Sequence, residues 1–457
     1  MPGKIMLAAL ICSLNIAALS AAEEPYQSTY QPLASSPTLI RNAMILTGTG
    51  ERLENADLLM SGSKIEAIGR NLDAGDATVI DAQGRWVTPG LIDVHSHLGV
   101  YPSPALAAHS DGNEMVEPVT ADAWAEHAVW PQDPGFSRAL AGGITSMQIL
   151  PGSGNLIGGR SVVLKNVYAN TYQDMKFPGA PHGMKMACGE NPKRVYGTGR
   201  QQAPMTRMGN LSGYRSAWIK ADEYRKTWAR HEEKVANGEE ITSWPERDLE
   251  LDTLAAVLDG KIRVHMHCYR GDEMATILDM AKEFGYKVSA FHHGIEAYKV
   301  ADRLAEKGVC AALWADWWGF KAEAYDGIQE NIALVDRPEG SCAIVHSDSS
   351  EGIQRLNQEA AKAMTRGQRA GLDIQPERAI RWVTMNAAKS IGIDDQTGSL
   401  EPGKMADVVL WNQNPFSVYA RADQVFVDGA LVFDRSDPAN QSVSDFELGQ
   451  AGAGGAQ

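Results

Sequence analysis

The chain has 457 residues and a formal net charge of −15, with 44% hydrophobic and 22% charged residues. This length can bury one large core and a smaller domain, and the composition is that of an ordinary globular protein. The acidic balance, together with the lack of basic runs, excludes a nucleic-acid-binding surface, so we expect no nucleic-acid partner.

Residues 1–22 have the form of a secretory signal peptide. Lys4 is the only charged residue of this stretch, an apolar run follows it, and small residues precede Glu23. The apolar run is too short for a comfortable transmembrane helix. We therefore expect a secreted, periplasmic protein with no membrane anchor after signal cleavage.

Short strands are predicted at both ends of the mature chain. Residues 38–88 and 407–434 contain aliphatic and β-branched runs separated by Gly and Asn turns. This pattern indicates a small β-sandwich domain built from residues 23–88 and 393–440. The Gly- and Ala-rich residues 441–457 are predicted to form a flexible tail.

Residues 89–392 alternate apolar strands with helical patterns, which predicts an α/β fold of the (β/α)8 TIM barrel type. Residues 191–247 interrupt this alternation with a charged, helix-like stretch. We interpret the interruption as a solvated surface insertion, with a lid over the site as the alternative. Active-site groups of such barrels come from the carboxyl ends of the strands, so those ends are where we look for chemistry.

The stretch Gly90–His97 predicts the first barrel strand and ends in two histidines. The i,i+2 spacing of His95 and His97 places both imidazoles on one side of a strand. Neutral imidazole nitrogen is a preferred ligand of Zn²⁺ and related cations. A chance pair of histidines is the alternative, unless later strands supply further ligands.

Later strand ends supply such residues: His265 and His267, then His292 and His293, then His346 and Asp348. In the adjacent pair only one side chain can face the site, and we favour His293 because Gly294 lets the chain turn just beyond it. The Asp348 carboxylate can bind a cation and accept a proton from water. Seven of the eleven histidines thus fall in four strand ends, which predicts a metal centre.

Several motifs share one pattern: PGLIDVHSH at 89–97, VHMHCY at 264–269, HGIEAY at 293–298, Asp348, NAA at 386–388 and GSLEPGKMADVVL at 398–410. Together they resemble the amidohydrolase superfamily, and within it most closely the imidazolonepropionase and Xaa-Pro dipeptidase branch. The resemblance covers nearly the whole mature chain. It implies a barrel with a sandwich built from both chain ends, as well as metal-dependent hydrolysis.

The resemblance also implies a role for each candidate ligand. His95 and His97 would hold one divalent cation, and His267 and His293 a second. Asp348 would serve both as a ligand and as the catalytic group that moves the proton. The cofactor implied is one or two divalent cations, with Zn²⁺ before others.

The ligand that would bridge two such cations is left open. Family members use either a carboxylated lysine, matched here by Lys185, or a glutamate, matched by Glu190. A single extended strand would aim these two positions in opposite directions, so only one would reach the centre. We favour Glu190, because a strand-end carboxylate needs no modification; the alternative for Lys185 is an interior lysine paired with an acid.

Residues near these strand ends are candidates for substrate binding. Tyr269 and Arg270 follow one histidine pair, and the Arg270 guanidinium suits a substrate carboxylate, with a surface salt bridge as the alternative. His265 or His346 would orient ligands or stabilise an oxyanion. The tryptophans within 313–318 form either an aromatic wall or part of the core.

Four cysteines follow the predicted leader: Cys188, Cys268, Cys310 and Cys342. All lie in apolar or site-adjacent segments rather than in a regular framework. In a domain of this size we interpret them as small buried core residues rather than as two disulfides, although export would permit bridges.

These observations predict a hydrolase of carbon–nitrogen bonds that acts on a small molecule or a short peptide, such as a dipeptide or cyclic amide. Deamination of an amidine-type ring and ester hydrolysis are alternatives, because the same metal centre serves all three. A non-catalytic metal-binding barrel is the alternative of another class, and Asp348 argues against it. The oligomeric state, including a homo-oligomer, is left open.

Overall fold

The computed structural model describes residues 26–103 and 105–440. The predicted leader at 1–22 and the predicted tail at 441–457 lie outside the described residues. The described chain forms a barrel and a second sheet domain that is assembled from both ends of the chain, as the sequence predicts.

The strands of the described residues are, in chain order, β1 (Thr38–Leu46), β2 (Arg52–Ser61), β3 (Lys64–Gly69), β4 (Thr78–Asp81), β5 (Trp86–Pro89), β6 (Leu91–Ser96), β7 (Ile144–Ile149), β8 (Ile157–Lys165), β9 (Gly183–Ala187), β10 (Arg263–Cys268), β11 (Val288–His293), β12 (Cys310–Leu313), β13 (Ala343–Val345), β14 (Val408–Trp411), β15 (Ala422–Val427) and β16 (Ala430–Asp434). The helices are α1 (Pro134–Ala141), α2 (Glu190–Pro192), α3 (Arg207–Ala236), α4 (Leu249–Leu258), α5 (Gly271–Phe284), α6 (Ala301–Lys307), α7 (Asn331–Val335), α8 (Leu356–Arg369), α9 (Pro376–Ala379) and α10 (Met385–Ile391).

The barrel sheet contains β6 to β13 in chain order. Neighbouring strands are parallel except at β8, which is antiparallel to both β7 and β9. The regular alternation of strand and helix expected over 89–392 therefore fails at this point. The link 150–156 between β7 and β8 is too short for a parallel crossover, which needs about a dozen residues, whereas an antiparallel pair needs only a short turn.

Helices pack on the barrel through single apolar faces. In α5 the buried residues Met274, Ile277 and Ala281 follow the i, i+3, i+7 spacing of one helix face. Gly285 caps the end of the helix, and its φ of +79° is the left-handed conformation that glycine adopts without strain. The chain can then enter β11, which carries two of the candidate histidines.

The second domain is one hydrogen-bonded sheet with the order β16-β15-β14-β5-β1-β2-β3, and β4 pairs with β1. The antiparallel ladder between β5 and β14 joins the N-terminal and C-terminal halves. Residues from both halves share one core, which includes Ile45, Leu58, Val87, Leu410 and Phe426. Neither end of the chain can complete this domain alone.

A buried polar cluster ties the two domains together. Lys165, at the end of β8, is fully buried, and its Nζ lies 2.5 Å from Asp428 Oδ2 and 3.2 Å from Asp407 Oδ1. Tyr30 donates a hydrogen bond of 2.5 Å to the same Asp428 oxygen, and Thr397 donates one of 2.8 Å to Asp407. Burial raises the pKa of Asp428, and the neighbouring Asp407 adds to this effect. The barrel thus supplies an ammonium group that pairs with two carboxylates of the second domain.

The four cysteines are buried, but they form two disulfides, Cys188–Cys268 and Cys310–Cys342. The expectation of unpaired core cysteines is therefore wrong. Ala187 pairs with His267 in the β9–β10 ladder, which brings the next residues of both segments together. The same cross-strand proximity applies between β12 and β13. Sequence separations of 80 and 32 residues conceal these neighbours until the strand order is known.

The interruption predicted at 191–247 contains α3, a helix of 30 residues. It buries Tyr214, Trp218 and Ala221, which lie on one face, and exposes mostly charged residues elsewhere. Tyr214 also donates a hydrogen bond to the carbonyl of Ala187 at the end of β9. Among the helices of residues 26–103 and 105–440, including α3, none combines the length and the apolar composition of a transmembrane span.

Replacing Lys165 by Met would leave Asp407 and Asp428 buried without their cation. We expect the free energy of unfolding to fall by about 3–5 kcal/mol at pH 7, because removing the ammonium group leaves buried carboxylates without a charged partner. Urea denaturation measures the change. The control Lys226→Met removes an exposed ion pair on α3 and should cost about 0.5 kcal/mol or less. Equal losses in the two variants would contradict the role of the buried cluster.

Candidate metal centre

The first and last barrel strands meet through a buried carboxylate rather than through a ladder. Among the described residues, β6 pairs with β7 and not with β13. Asp93 Oδ1 accepts hydrogen bonds from the backbone N–H groups of His95 and Ser347 at 3.1 and 3.2 Å, and Ser347 Oγ donates to Asp93 Oδ2. The backbone N–H of Asp348 then donates to the His95 carbonyl at 3.0 Å. Burial raises the pKa of Asp93 to about 6, while the hydrogen bonds act against that rise.

Asp348 lies among the strand-end histidines. Its Oδ1 is 3.2 Å from His97 Nε2 and 3.6 Å from His95 Nε2, and its Oδ2 is 3.9 Å from His293 Nε2. The candidate ligand atoms of His95, His97 and Asp348 all lie within 4.8 Å of one another, and so do those of His95, His293 and His346. The structure therefore brings predicted residues from three strand ends together, and it places His346, which we predicted to orient ligands or stabilise an oxyanion, at ligand distance among them.

Buried nitrogen atoms at this cluster have no hydrogen-bond partner within the described chain. They are Nδ1 of His267, Nδ1 of His293 and both ring nitrogens of His346. Burial holds the pKa of His267 and His293 well below the ordinary value and lowers the pKa of His346 to about 3. These imidazoles are neutral at pH 7, which is the form that binds a cation. The donor set therefore fits a divalent metal ion.

Two candidate ligands have a left-handed backbone. The φ angle is +72° at His293 and +49° at Asp348, a region that residues other than glycine rarely adopt. The turn that we expected at Gly294 thus begins one residue earlier. Such conformations cost about 1–3 kcal/mol each and concentrate at functional sites. Seven other non-glycine residues of the described chain also have a positive φ, but only at His293 and Asp348 does it occur in candidate ligands, whose side chains approach to 3.9 Å.

A chain of buried imidazoles orients the first ligand. His95 Nδ1 lies 2.9 Å from His292 Nδ1, and His292 Nε2 lies 3.0 Å from His265 Nδ1. His97 is oriented separately, by a contact of 2.8 Å between its Nδ1 and the Leu150 carbonyl. These contacts leave Nε2 of His95 and of His97 directed toward Asp348. His265, which we predicted to orient ligands, stabilise an oxyanion or bind substrate, lies at the far end of this chain and is not among the residues that line the cavity.

The structure places Lys185, and not Glu190, beside the histidines. Lys185 is fully buried, and its Nζ lies 3.4 Å from His95 Nε2. Burial lowers the pKa of Lys185 to about 8, and Asp348 acts in the opposite direction. Gly189, with a φ of +74°, turns the chain so that Glu190 begins α2 instead of extending β9. The backbone N–H of Glu190 donates to Glu323, and the preference for Glu190 gains no support from this position.

The two predicted substrate-binding residues that follow β10 have different surroundings. Tyr269 lines the cavity above the cluster, and its ring lies 4.6 Å from that of His267. Arg270 instead forms an ion pair of 2.8 Å with Asp272, and its side chain is 40% exposed. The surface salt bridge considered for Arg270 is therefore what the structure shows.

Sequence reasoning missed several residues of the cavity, which has a volume of about 350 Å³. Asn191 and Arg194 come from the start of the interrupting segment, and Lys321 comes from the loop after β12. No strand-end motif marks these positions, so only the folded structure reveals them. The aromatic wall considered for Trp314 is present, because its ring stacks on that of His293 at 4.2 Å.

A model of the amidohydrolase family matches residues 86–432 of the chain. The chain belongs to this family. It is 33% identical to amidohydrolase tasK of Hapsidospora irregularis over 433 residues, which are 87% of this chain and 43% of that protein. This chain thus spans less than half the length of that relative.

Solved structures of related proteins agree with this membership. The crystal structure of an amidohydrolase from Thermotoga maritima MSB8 matches with a TM-score of 0.79 and 36% identity, over 87% of this chain and 100% of that chain. A prolidase complexed with N-methylphosphonate-L-proline matches with a TM-score of 0.54 and 17% identity, over 88% of this chain and 100% of that chain, which shows a shared fold. The family and its barrel, predicted from the strand-end motifs, are therefore confirmed.

The variant His292→Phe keeps a flat ring beside His95 but removes its hydrogen-bond partner. We expect the affinity for Zn²⁺ to fall by about 10- to 100-fold, because such partners fix the orientation and tautomer of a ligand. Competition with a chromophoric chelator measures the affinity without any activity assay. His231→Phe, at a buried histidine on α3, serves as the control. An unchanged affinity in His292→Phe would rule out an orienting role for this imidazole chain.

Proposed function

We propose that this protein is a metal-dependent hydrolase of carbon–nitrogen bonds in amides, such as dipeptides or cyclic amides. The observation that carries the proposal is the position of Asp348, 3.2 Å from His97 Nε2 and 3.9 Å from His293 Nε2. One carboxylate shared between two candidate ligand pairs suits both cation binding and proton transfer. Membership of the amidohydrolase family supports the same reaction class.

The chain has residues for one or two divalent cations, and we propose Zn²⁺ because imidazole nitrogen and carboxylate oxygen are its usual ligands. His95, His97 and Asp348 would hold one ion, and His267 and His293 would hold a second. When bound, such an ion polarises a substrate carbonyl and lowers the pKa of water.

Asp348 is the proposed catalytic residue. Burial opposes its ionisation, but the contact with His97 and the nearby Lys185 ammonium group lower the pKa of its carboxyl below the usual value. The group is therefore a carboxylate at pH 7 and can accept a proton from the attacking water. The same carboxyl then delivers the proton to the departing nitrogen, which leaves as a neutral amine.

Lys185 is the proposed bridging ligand, in place of Glu190. Its Nζ lies 3.4 Å from His95 Nε2 and 3.2 Å from the Pro151 carbonyl, inside the barrel. Addition of CO₂ to the neutral amine, with release of one proton, would form a carbamate at this position. A carbamate would add the anionic oxygen ligands that the amine lacks.

We also propose that the protein is exported to the periplasm. The leader-like residues 1–22 and the two disulfides support this location, because disulfides persist in oxidising compartments. Mass analysis of the periplasmic fraction tests it: a mature chain beginning at Glu23 is expected, and an unprocessed chain in the reducing cytoplasm would contradict it.

The variant Asp348→Asn keeps the size of the side chain but cannot accept the proton. We expect kcat to fall by about 100- to 10,000-fold on a panel of dipeptides, N-acyl amino acids and cyclic amides. Removal of metal by a chelator should abolish the activity, and Zn²⁺ should restore it. Asp326→Asn, at an exposed ion pair, is the control.

The same panel separates the alternatives. Full activity in Asp348→Asn or in metal-free protein would overturn the proposed mechanism. Turnover confined to esters or to amidine rings would favour the alternative reactions, and inactivity on every substrate would favour a non-catalytic metal-binding protein.

Labelled bicarbonate distinguishes Lys185 from Glu190. We expect wild-type protein to give a carbamate signal by NMR, and Lys185→Ala to lose both that signal and part of its metal content. Glu190→Gln should retain both, because Glu190 lies outside the histidine cluster. The reverse pattern, with metal lost in Glu190→Gln alone, would assign the bridge to Glu190.

A further inference from the structure

An ammonium group lies half-buried at the cavity without a carboxylate beside it. Lys321 Nζ donates to Asn191 Oδ1 at 2.9 Å and to Tyr269 Oη at 3.1 Å. Within residues 26–103 and 105–440, no carboxylate oxygen lies within the 4.0 Å of an ion pair with this group. Two other buried lysines of the described chain, Lys165 and Lys176, are by contrast paired with Asp428 and Glu126. A charge withdrawn from water and left unpaired favours an anionic ligand.

The nearby acids have other partners or lie farther away. Glu323 binds the Arg207 guanidinium and the backbone N–H of Glu190. Glu190 and Asp348 attract Lys321 only through space, while burial, the larger effect, lowers the pKa of this lysine. None of these carboxylates occupies the third hydrogen-bonding position of the ammonium group.

The lysine is held close to the candidate metal ligands. Asn191, which accepts from Lys321, also places its Nδ2 3.4 Å from His267 Nε2. The ammonium group is thus separated from a candidate ligand by a single side chain. An anion bound there would lie near the bond that is cleaved, as the α-carboxylate does next to the amide of an N-acyl amino acid or a dipeptide.

A second cation and an aromatic surface complete this part of the cavity. Arg194 lines the same cavity, is exposed, and forms no ion pair within the described residues. Trp317 stacks on Trp314 with ring centroids 5.1 Å apart, and Phe320 contacts Trp314 edge-on at 5.6 Å. Trp317 and Phe320 remain 43% and 50% exposed. Exposed aromatic rings at a cavity commonly contact an apolar part of a ligand.

We infer that Lys321 determines specificity by binding the carboxylate of the substrate, and that Trp314, Trp317 and Phe320 contact its apolar group. The inference rests on the proposed function. It narrows the substrate class to amides with a carboxylate next to the scissile nitrogen and an apolar side chain, such as N-acyl derivatives of apolar amino acids and dipeptides that end in one.

Paired substrates test the inference. Zn²⁺-loaded protein is assayed with N-acetyl-L-leucine and with its uncharged analogue N-acetyl-L-leucinamide, and the ratio of their kcat/KM values is measured. We expect the wild type to prefer the carboxylate and Lys321→Met to reduce the ratio by about 10- to 100-fold, mainly through KM. Lys321→Arg should restore part of the ratio, and the surface control Lys299→Met should leave it unchanged.

Binding measurements separate this inference from the proposed function. Calorimetric titration with the same two compounds reports carboxylate recognition whether or not turnover occurs. Binding that depends on Lys321 without hydrolysis would support the subsite and overturn the proposed reaction. Hydrolysis with an equal ratio in wild type and Lys321→Met would support the reaction and overturn the subsite. Failure of the protein to bind or hydrolyse either compound would also overturn the subsite.

Discussion

A single buried carboxylate closes the barrel and thereby shapes the site. Asp93 accepts two hydrogen bonds from Ser347 that join β6 to the segment after β13, where the described strands form no ladder, and a third from His95 within β6. Burying a carboxylate is costly unless it is hydrogen-bonded, and here its hydrogen bonds are themselves the joint. His95 and Asp348 flank this joint, so their mutual position follows from it. The other candidate ligands reach the centre on strands that are already held in register.

The sequence was sufficient to predict the fold and to select several candidate ligands that the structure brings together, because both depend on local patterns. Strand alternation places His95 and His97 on one side, and the carboxyl ends of barrel strands converge on one mouth. The same reasoning selected His293 over its neighbour and included Asp348. The structure brings all four together, and the family comparison confirms the barrel that this argument requires.

The features that the sequence did not reveal depend on contacts between distant segments or on a single backbone turn. Gly189 diverts the chain before Glu190, and no periodicity marks that change. The disulfides and the antiparallel β8 require the strand order before they can be recognised. Lys321 gains its significance from Asn191, which is 130 residues away in the sequence. Arg270 looked suitable by position, but Asp272 two residues later already neutralises it.

The Cys188–Cys268 bond joins the residue just after β9 to the last residue of β10. It closes a loop with a sequence separation of 80 residues, and the strands that meet at its base carry Lys185 and His267. Asn191 and Arg194, which line the cavity, lie inside the loop. A backbone cleavage between α3 and α4 would leave the two segments joined through this bond. Substitutions at Asn191 or Arg194 would therefore change the lining of the cavity while the covalent link between the ends of β9 and β10 stays in place.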